Sequence, residues 1–217
     1  AGLSIKGDGT TDGTLQLNCS QNSHGVKLRS PAHSAGQSYT LTLPTGNLTA
    51  GNVLQINSIS GSGTTAIGQL EAPSELTLPN QPCFQVQPTS TQSNISGSDT
   101  IIAFGTERFD VGSNFASNTF TAPVTGKYQF NFNLYMDAIP IDASYIEPKI
   151  VTTNKTYYGS TFDPEAYDTS PTYLAISFSV LANLDANDTA TCKVTQASGT
   201  AQADISVASM WTGYLVS

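Results

Sequence analysis

The sequence predicts an all-β protein, with a segment of short strands at its N-terminal end and a β-sandwich in the remainder. Residues that favour turns and strands dominate the composition, with 18 Gly, 11 Pro and only 11% charged residues among 217. Helices would need runs of Leu, Ala, Glu and Lys that this chain does not contain. Apolar and polar residues alternate instead with the period of two that places successive side chains on opposite faces of a strand.

Short strands account for the first part of the chain. Residues 15–19 and 26–28 alternate apolar and polar side chains on either side of a polar turn. Another alternating run covers residues 38–43 and ends at a proline, and residues 51–56 follow with a Gly-Asn turn signal at their start. Strands of this length, about ten residues apart, predict a meander or a β-roll and argue against a parallel α/β sheet.

The second part of the chain contains a ladder of aromatic residues. Tyr128, Phe130 and Phe132 share one face of a predicted strand, and a lysine and two amide side chains occupy the other face. A turn at Pro123 and Gly126 leads the chain into this strand. A strand with one aromatic face and one polar face is typical of a sandwich, in which one side is buried and the other is wet.

The full ladder consists of Phe104, Asp110, Phe115, Phe120, Gly126, Tyr128, Phe130 and Phe132. Its spacing resembles the C1q signature of the C1q/TNF-like family. The interval between Phe115 and Phe120 holds four residues where the family usually has six, and a loop shortened by two residues is compatible with a hairpin tip.

Two further stretches extend the resemblance over the C-terminal part of the chain. Residues 82–86 are similar to the first strand of the family, and residues 209–215 are similar to its closing strand. The resemblance divides the chain into a β-rich attachment or shaft segment, residues 1–80, and a C1q-like jelly-roll domain, residues 81–217. It implies a jelly-roll sandwich that assembles as a homotrimer.

The N-terminal segment favours a multimer independently of that resemblance. Residues 1–80 contain one Tyr, no Phe and no Trp, so they can hardly enclose a core that offsets ~1–2 kcal/mol of backbone entropy per ordered residue. Three copies wound together would bury their short apolar faces. In the C-terminal domain, the small face of the strand at 174–180 predicts a trimer interface, with Ala175, Ser177 and Ser179 as candidates.

Residues 153–173 form the best candidate for ligand binding, because long loops on rigid sandwiches tend to carry function. A tyrosine ring there could hold a sugar, and carboxylates could bind calcium, although nothing else in the sequence supports an ion. The opposing interpretation is a solvated acidic loop with its tyrosines half packed beneath it. The candidate residues are Tyr157, Tyr158, Asp163, Glu165, Tyr167 and Asp168.

The sequence predicts no enzyme, no cofactor and no metal site. His24 and His33 are the only histidines, and neither accompanies a nucleophile elbow or a zinc-protease motif. Cys19, Cys83 and Cys192 lack the spacing of zinc ligands. We interpret them as small buried apolar residues, with a disulfide between Cys83 and Cys192 as the alternative.

The charge of the chain argues against nucleic-acid binding, and its hydropathy argues against a membrane span. The formal net charge is −8, of which residues 1–80 contribute −1 and the remainder −7. Nucleic-acid binding would need a basic face that displaces counterions, so it is disfavoured. The sequence contains no apolar run of about 18 residues, so it predicts no membrane span.

A second resemblance concerns residues 12–44. The stretches 12–28 and 30–44 are similar, in order, to a module of structural proteins of tailed phages that infect marine bacteria. This resemblance implies a structural component of the virion, with tail or capsid proteins as partners.

Together these observations predict a trimeric tail fibre or receptor-binding protein of a phage, which recognises a bacterial surface polysaccharide. The first alternative is a trimeric capsid decoration protein that cements the phage head. The second is a free secreted C1q-like binding protein, which residues 12–44 disfavour.

Overall fold

The computed structural model describes residues 2–50, 52–73, 78 and 80–217, and it confirms the prediction of an all-β protein. Half of the chain is strand and 4% is helical. The chain divides into two compact units, a first one up to residue 77 and a second one from Leu78 to Ser217. Across the described residues, no helix has the length and apolar character that crossing a membrane requires.

The first unit contains a hairpin and a separate three-stranded sheet. Strand β1 (Thr14–Asn18) pairs antiparallel with β2 (Gly25–Arg29), as the alternating pattern predicts. Strand β5 (Ala66–Glu71) lies between β3 (Tyr39–Thr42), to which it is parallel, and β4 (Gln55–Ser60), to which it is antiparallel. The parallel pair departs from the predicted meander, because a meander contains only antiparallel neighbours.

Two sheets form the sandwich of the second unit. Sheet I consists of β6 (Cys83–Gln87), β7 (Gln92–Ile95), β9 (Thr106–Val111), β12 (Gly126–Asp137), β15 (Tyr173–Leu184), β17 (Ala203–Ile205) and β18 (Met210–Leu215). Its central strand β12 pairs along its whole length with β15 on one side and with β18 and β17 on the other.

The opposing sheet, sheet II, consists of β8 (Gly97–Ile101), β10 (Phe115–Ala116), β11 (Thr119–Thr121), β13 (Tyr145–Thr152), β14 (Thr156–Tyr158) and β16 (Thr189–Ala197). Its central strand β16 pairs with β13 on one side and with β11 and β8 on the other.

Aromatic side chains fill the space between the two sheets. Tyr128, Phe130 and Phe132 are all buried on the core side of β12, as the sequence predicts. Trp211 from β18 meets Phe84 from β6 edge to face, with ring centroids 4.9 Å apart. Aromatic pairs in this geometry contribute beyond the apolar area that they bury.

One glycine makes this aromatic packing possible. A Cβ atom at Gly213 would lie 2.5 Å from a ring carbon of Phe84 and 2.6 Å from one of Phe130. Only glycine therefore leaves room at this position for the rings of Phe84 and Phe130.

The three cysteines are free thiols, and their environments differ. Cys192 is a small buried residue in β16, as predicted. The alternative of a Cys83–Cys192 disulfide is wrong, because Phe84 fills the core side of β6 and Cys83 therefore points away from it. The prediction of a buried Cys19 is also wrong, because the hairpin β1–β2 exposes its residues to solvent.

Candidate functional site

The tyrosine-rich segment that follows β13 begins as a strand rather than a loop. β13 and β14 form a hairpin in which Thr152 Oγ1 donates to the carbonyl of Lys155, 2.8 Å away, and accepts from its N–H. Asn154 at the tip donates from Nδ2 to a carboxylate oxygen of Asp188, 2.6 Å away. This end of the predicted binding loop is therefore held in place by hydrogen bonds.

Two candidate tyrosines occupy opposite faces of β14, because they are consecutive in a strand. Tyr157 packs against the core and lies under Lys155, whose Nζ is 5.1 Å from the ring centroid. Tyr158 is 62% exposed, and Nζ of Lys149 lies 5.5 Å from its ring centroid. Only the second of the two rings is thus free to contact a large ligand.

The lysine beside Tyr158 is neutralised by a carboxylate from β8. Lys149 Nζ lies 2.9 Å from a carboxylate oxygen of Asp99. Burial lowers the pKa of Lys149, but the hydrogen bond to Asp99 and the attraction of the nearby acidic groups together outweigh burial, so the pKa is raised. The same hydrogen bond lowers the pKa of Asp99. Both groups stay ionised near neutral pH, so a fixed ion pair lies next to the exposed ring.

The second half of the segment is tied to sheet II by one bridge. Phe162 exchanges two backbone hydrogen bonds with Ile146, with N–O distances of 2.7 and 2.8 Å. Tyr167 stacks on Phe162 with ring centroids 5.4 Å apart, and half of the tyrosine side chain remains exposed. Tyr158 and Tyr167 are therefore the two candidate aromatics that this segment presents to solvent.

The acidic candidates do not converge on one point. Asp163 Oδ1 accepts from the N–H of Glu165, 3.0 Å away, and so caps the short 3-10 turn at Pro164–Ala166. Glu165 and Asp168 are exposed. Among the residues that the structure describes, no three His, Cys, Asp or Glu side chains group as metal ligands. The geometry thus offers no support for calcium in this segment.

The predicted interface residues lie on the longest edge strand of sheet I. Ala175, Ser177 and Ser179 are exposed on one face of β15, while Leu174 and Ile176 are buried on the other. Within the described ranges, β15 pairs only with β12, so its second edge is unpaired. The strand contains no charged residue and no proline.

The face around these residues is small and polar. Ser177 Oγ donates to Oδ1 of Asn133 on β12, 2.7 Å away, and Ser179 lies opposite Asn131. A shallow depression of about 390 Å³ opens between these pairs and Met210. Small, uncharged side chains over a flat area allow another protein surface to approach closely.

A cluster in the turn between β1 and β2 was not predicted. Ser23 Oγ lies 3.5 Å from Sγ of Cys19 and 2.9 Å from Nδ1 of His24. The serine hydroxyl and the backbone N–H groups of the turn lower the pKa of Cys19 to about 6. The hairpin pattern itself is the signal that could have revealed the cluster, because a tight turn after Cys19 brings both residues back to it.

Comparisons with known proteins concern the second unit. The family model of the C1q domain matches residues 83–216. The globular domain of zebrafish complement 1qA protein is 15% identical, with a TM-score of 0.48, over 63% of this chain and 98% of that one. A crystal structure of murine APRIL at pH 8.5 is 10% identical, with a TM-score of 0.46, over 63% and 99% of the two chains. No curated protein matches the chain.

Proposed function

The chain belongs to the C1q domain family, and on that premise we propose that it forms a homotrimeric receptor-binding protein of a phage tail, which binds a bacterial surface polysaccharide. Domains of this family are typically trimeric modules for binding and recognition, and they are not enzymes. The family match over residues 83–216 is the observation that carries the trimeric recognition module, and the phage setting rests on the resemblance of residues 12–44.

The unpaired edge of β15 supports trimer formation through sheet I. A long strand with free N–H and C=O groups and no charge or proline invites association with another chain, which monomeric proteins usually prevent. The exposed positions Ala175, Ser177 and Ser179 would lie at this contact. Burying the edge between copies would remove a surface that would otherwise promote aggregation.

The position of the exposed tyrosines supports recognition at the far end of the domain. β12 begins at Gly126, and the backbone N–H of Lys127 next to it donates to the carbonyl of Ser217. The strand ends at Asp137, which lies opposite Tyr173 of β15. A strand of twelve residues spans roughly 36 Å. Tyr158 lies opposite Lys149, near the middle of β13, and the segment from there to Tyr173 runs toward that distant end, away from the point where the chain enters the domain.

The setting in a virion is supported by residues 12–44, which resemble a module of phage structural proteins. A tail location suits a domain that presents aromatic side chains at its far end. A head location is the second candidate, because the first unit exposes apolar side chains such as Leu17 and Val26 that a capsid surface could cover. In that case the chain would be a decoration protein.

Gold-labelled antibody against the chain, applied to intact virus particles, would distinguish these locations in electron micrographs. We expect label on the tail only. Label scattered over the head would contradict the receptor-binding proposal and favour decoration. An absence of label from purified particles, with the protein present in the host culture, would contradict both virion roles.

Polysaccharide binding is tested with two substitutions at one position. We expect Tyr158→Ala to weaken adsorption to host cells by roughly tenfold or more, because a base for stacking a sugar ring is lost. Tyr158→Phe keeps the ring and serves as the matched control, so it should adsorb normally. Equal adsorption by the alanine variant and the wild type would contradict a role for this tyrosine.

Trimer formation through β15 is tested by light scattering. We expect the wild type to have three times the chain mass of 22.8 kDa. Ser177→Arg should lower the mass toward that of a monomer, because the new cation would be buried at the contact. Ala116→Arg places the same side chain on the exposed face of β10 in sheet II and should remain a trimer. A trimeric Ser177→Arg variant would contradict this interface.

A further inference from the structure

The three-stranded sheet of the first unit has one apolar face that nothing in the described residues covers. Tyr39 and Leu41 from β3 lie on the same face as Ile56 and Ile59 from β4, and Gly68 from β5 lies between them. The four large side chains are between 49% and 66% exposed. The opposite face carries mainly Thr, Ser and Gln side chains, together with Ile67 and Glu71 of β5.

The apolar face contains a hollow. The five residues, together with Gln37, Gly63 and Ala66, line a depression of about 410 Å³. A Cβ atom at Gly68 would lie 3.3 Å from a methyl carbon of Leu41 and 3.4 Å from one of Ile56. The glycine thus forms the floor of a hollow whose rim consists mainly of apolar side chains.

The first unit has almost no core of its own. Among its described residues up to position 73, Gly68 is the only buried one. Ordering a sheet costs backbone entropy that must be offset by buried apolar surface, and a sheet exposed on both faces does not provide it. The sheet therefore needs a second surface to be stable.

We propose that this apolar face packs against the same face of two other copies of the chain, within the trimer that the C1q domains form. The proposal rests on the homotrimer of the proposed function and deepens it. It assigns the first unit a place in the assembly and names the residues that hold it there.

The charge distribution favours a copy of this chain as the occupant. A symmetric contact brings identical groups close together, so charges near the axis would repel each other. Strands β3 and β4 contain no charged residue, and β5 contains only Glu71 at its last position. The face is therefore compatible with its own copies.

Connectivity favours the same occupant. Eleven residues separate the end of β5 at Glu71 from the start of β6 at Cys83, and they span at most roughly 40 Å. Once three C1q domains assemble, three copies of the sheet are confined within that distance of them. Linkers of this length give effective concentrations on the order of millimolar, so even weak contacts between the sheets become populated.

Hydrogen exchange of the full-length chain tests the proposal, with Ile59→Asp and the matched control Ser60→Asp. Ile59 lies on the apolar face and Ser60, the next residue, on the opposite face. Amides of residues 39–42, 55–60 and 66–71 should be protected in the wild type. The first substitution should speed their exchange by roughly tenfold or more, while the control should leave it unchanged.

Two further readouts separate the failure of this proposal from failure of the homotrimer. Light scattering reports the oligomer, and the fluorescence of Trp211, the single tryptophan, reports the fold of the second unit. A wild type that is monomeric would contradict the proposed function, and this inference with it. A trimer whose sheet amides exchange freely, or remain protected in Ile59→Asp, would overturn this inference alone.

Discussion

The two units of the chain use the same alternating pattern with opposite results. In the hairpin of the first unit, Leu15 lies opposite Leu28 and Leu17 opposite Val26, and this apolar face is exposed. In the second unit, the equivalent faces of two sheets meet and exclude solvent. Leucines and valines on a short hairpin cannot enclose a volume, whereas long strands with aromatic rings can. Alternation therefore predicts which side chains share a face. Strand length and side-chain volume decide whether that face is buried within one chain.

The largest expected difference between the units is in the cost of truncating an apolar side chain. Phe130→Ala should lower the free energy of unfolding of the second unit by roughly 3–5 kcal/mol, because it leaves a cavity among packed rings. Leu17→Ala in the hairpin should change it by less than about 0.5 kcal/mol. Urea denaturation followed by Trp211 fluorescence measures both. Similar losses in the two variants would contradict the contrast between a closed and an open face.

A smaller difference is expected for two aspartates that cap turns. Asp110 accepts from the N–H groups of Asn114 and Phe115, at 3.1 and 2.9 Å, and fixes the loop before β10. Asp110→Ala should cost roughly 1.5–3 kcal/mol, because charge-assisted hydrogen bonds to partly buried amides are lost.

Asp8 is the matched control for this prediction. It accepts from the N–H groups of Thr10 and Thr11, which lower the pKa of its carboxyl to about 2, but its turn is exposed. Asp8→Ala should leave the unfolding midpoint of the second unit unchanged. A shift as large as that of Asp110→Ala would show that the two units unfold together.

The tyrosine hydroxyls provide a finer comparison. Tyr128 donates to the carbonyl of Val124, 2.7 Å away, at the buried base of the turn before β12. Burial raises the pKa of its hydroxyl, despite this hydrogen bond. Tyr128→Phe should cost about 1 kcal/mol in thermal or chemical unfolding. Tyr39→Phe keeps the ring on the apolar face of the first unit, so it should cost nothing measurable in the unfolding of the second unit.

The reactivity of the cysteine thiols also differs between the two units. Because hydrogen bonds lower the pKa of Cys19 to about 6, its thiolate predominates above that pH, and alkylation should be half-maximal near pH 6. Burial raises the pKa of Cys192 well above its usual range, so this thiol should react only after unfolding. Mass spectrometry of peptides alkylated between pH 5 and 9 measures both. A Cys19 thiol that reacts only above pH 8 would contradict the hydrogen-bonded turn.

The part of the fold that the sequence could predict is the part that local patterns determine. Period-two alternation located β1, β2 and β12, and the aromatic spacing located the core residues Tyr128 and Phe130. The strand β5 was not predicted, because Gly68 interrupts its apolar pattern. Its parallel pairing with β3 joins residues 27 positions apart, which no local pattern reports.

The candidate site shows the same division. Exposure of Ala175, Ser177 and Ser179 follows from alternation along β15, so the sequence could indicate it. That β15 lies at the edge of sheet I could not be predicted, because strand order is set by contacts distant in sequence. The tyrosines were expected on a loop, and the hairpin with β13 instead turns Tyr157 toward the core.

The point where the chain enters the second unit also determines how that unit bears a mechanical load. β6 lies between β18 and β9, and the carbonyl of Pro82 accepts from the N–H of Leu215 beside it. A pull on the linker, with the far end of the domain held by a bound partner, acts along the axis of β6. Its hydrogen bonds to both neighbours run across that axis, so they are sheared together and not opened one at a time. The linker therefore loads the hydrogen bonds on both sides of β6 in shear.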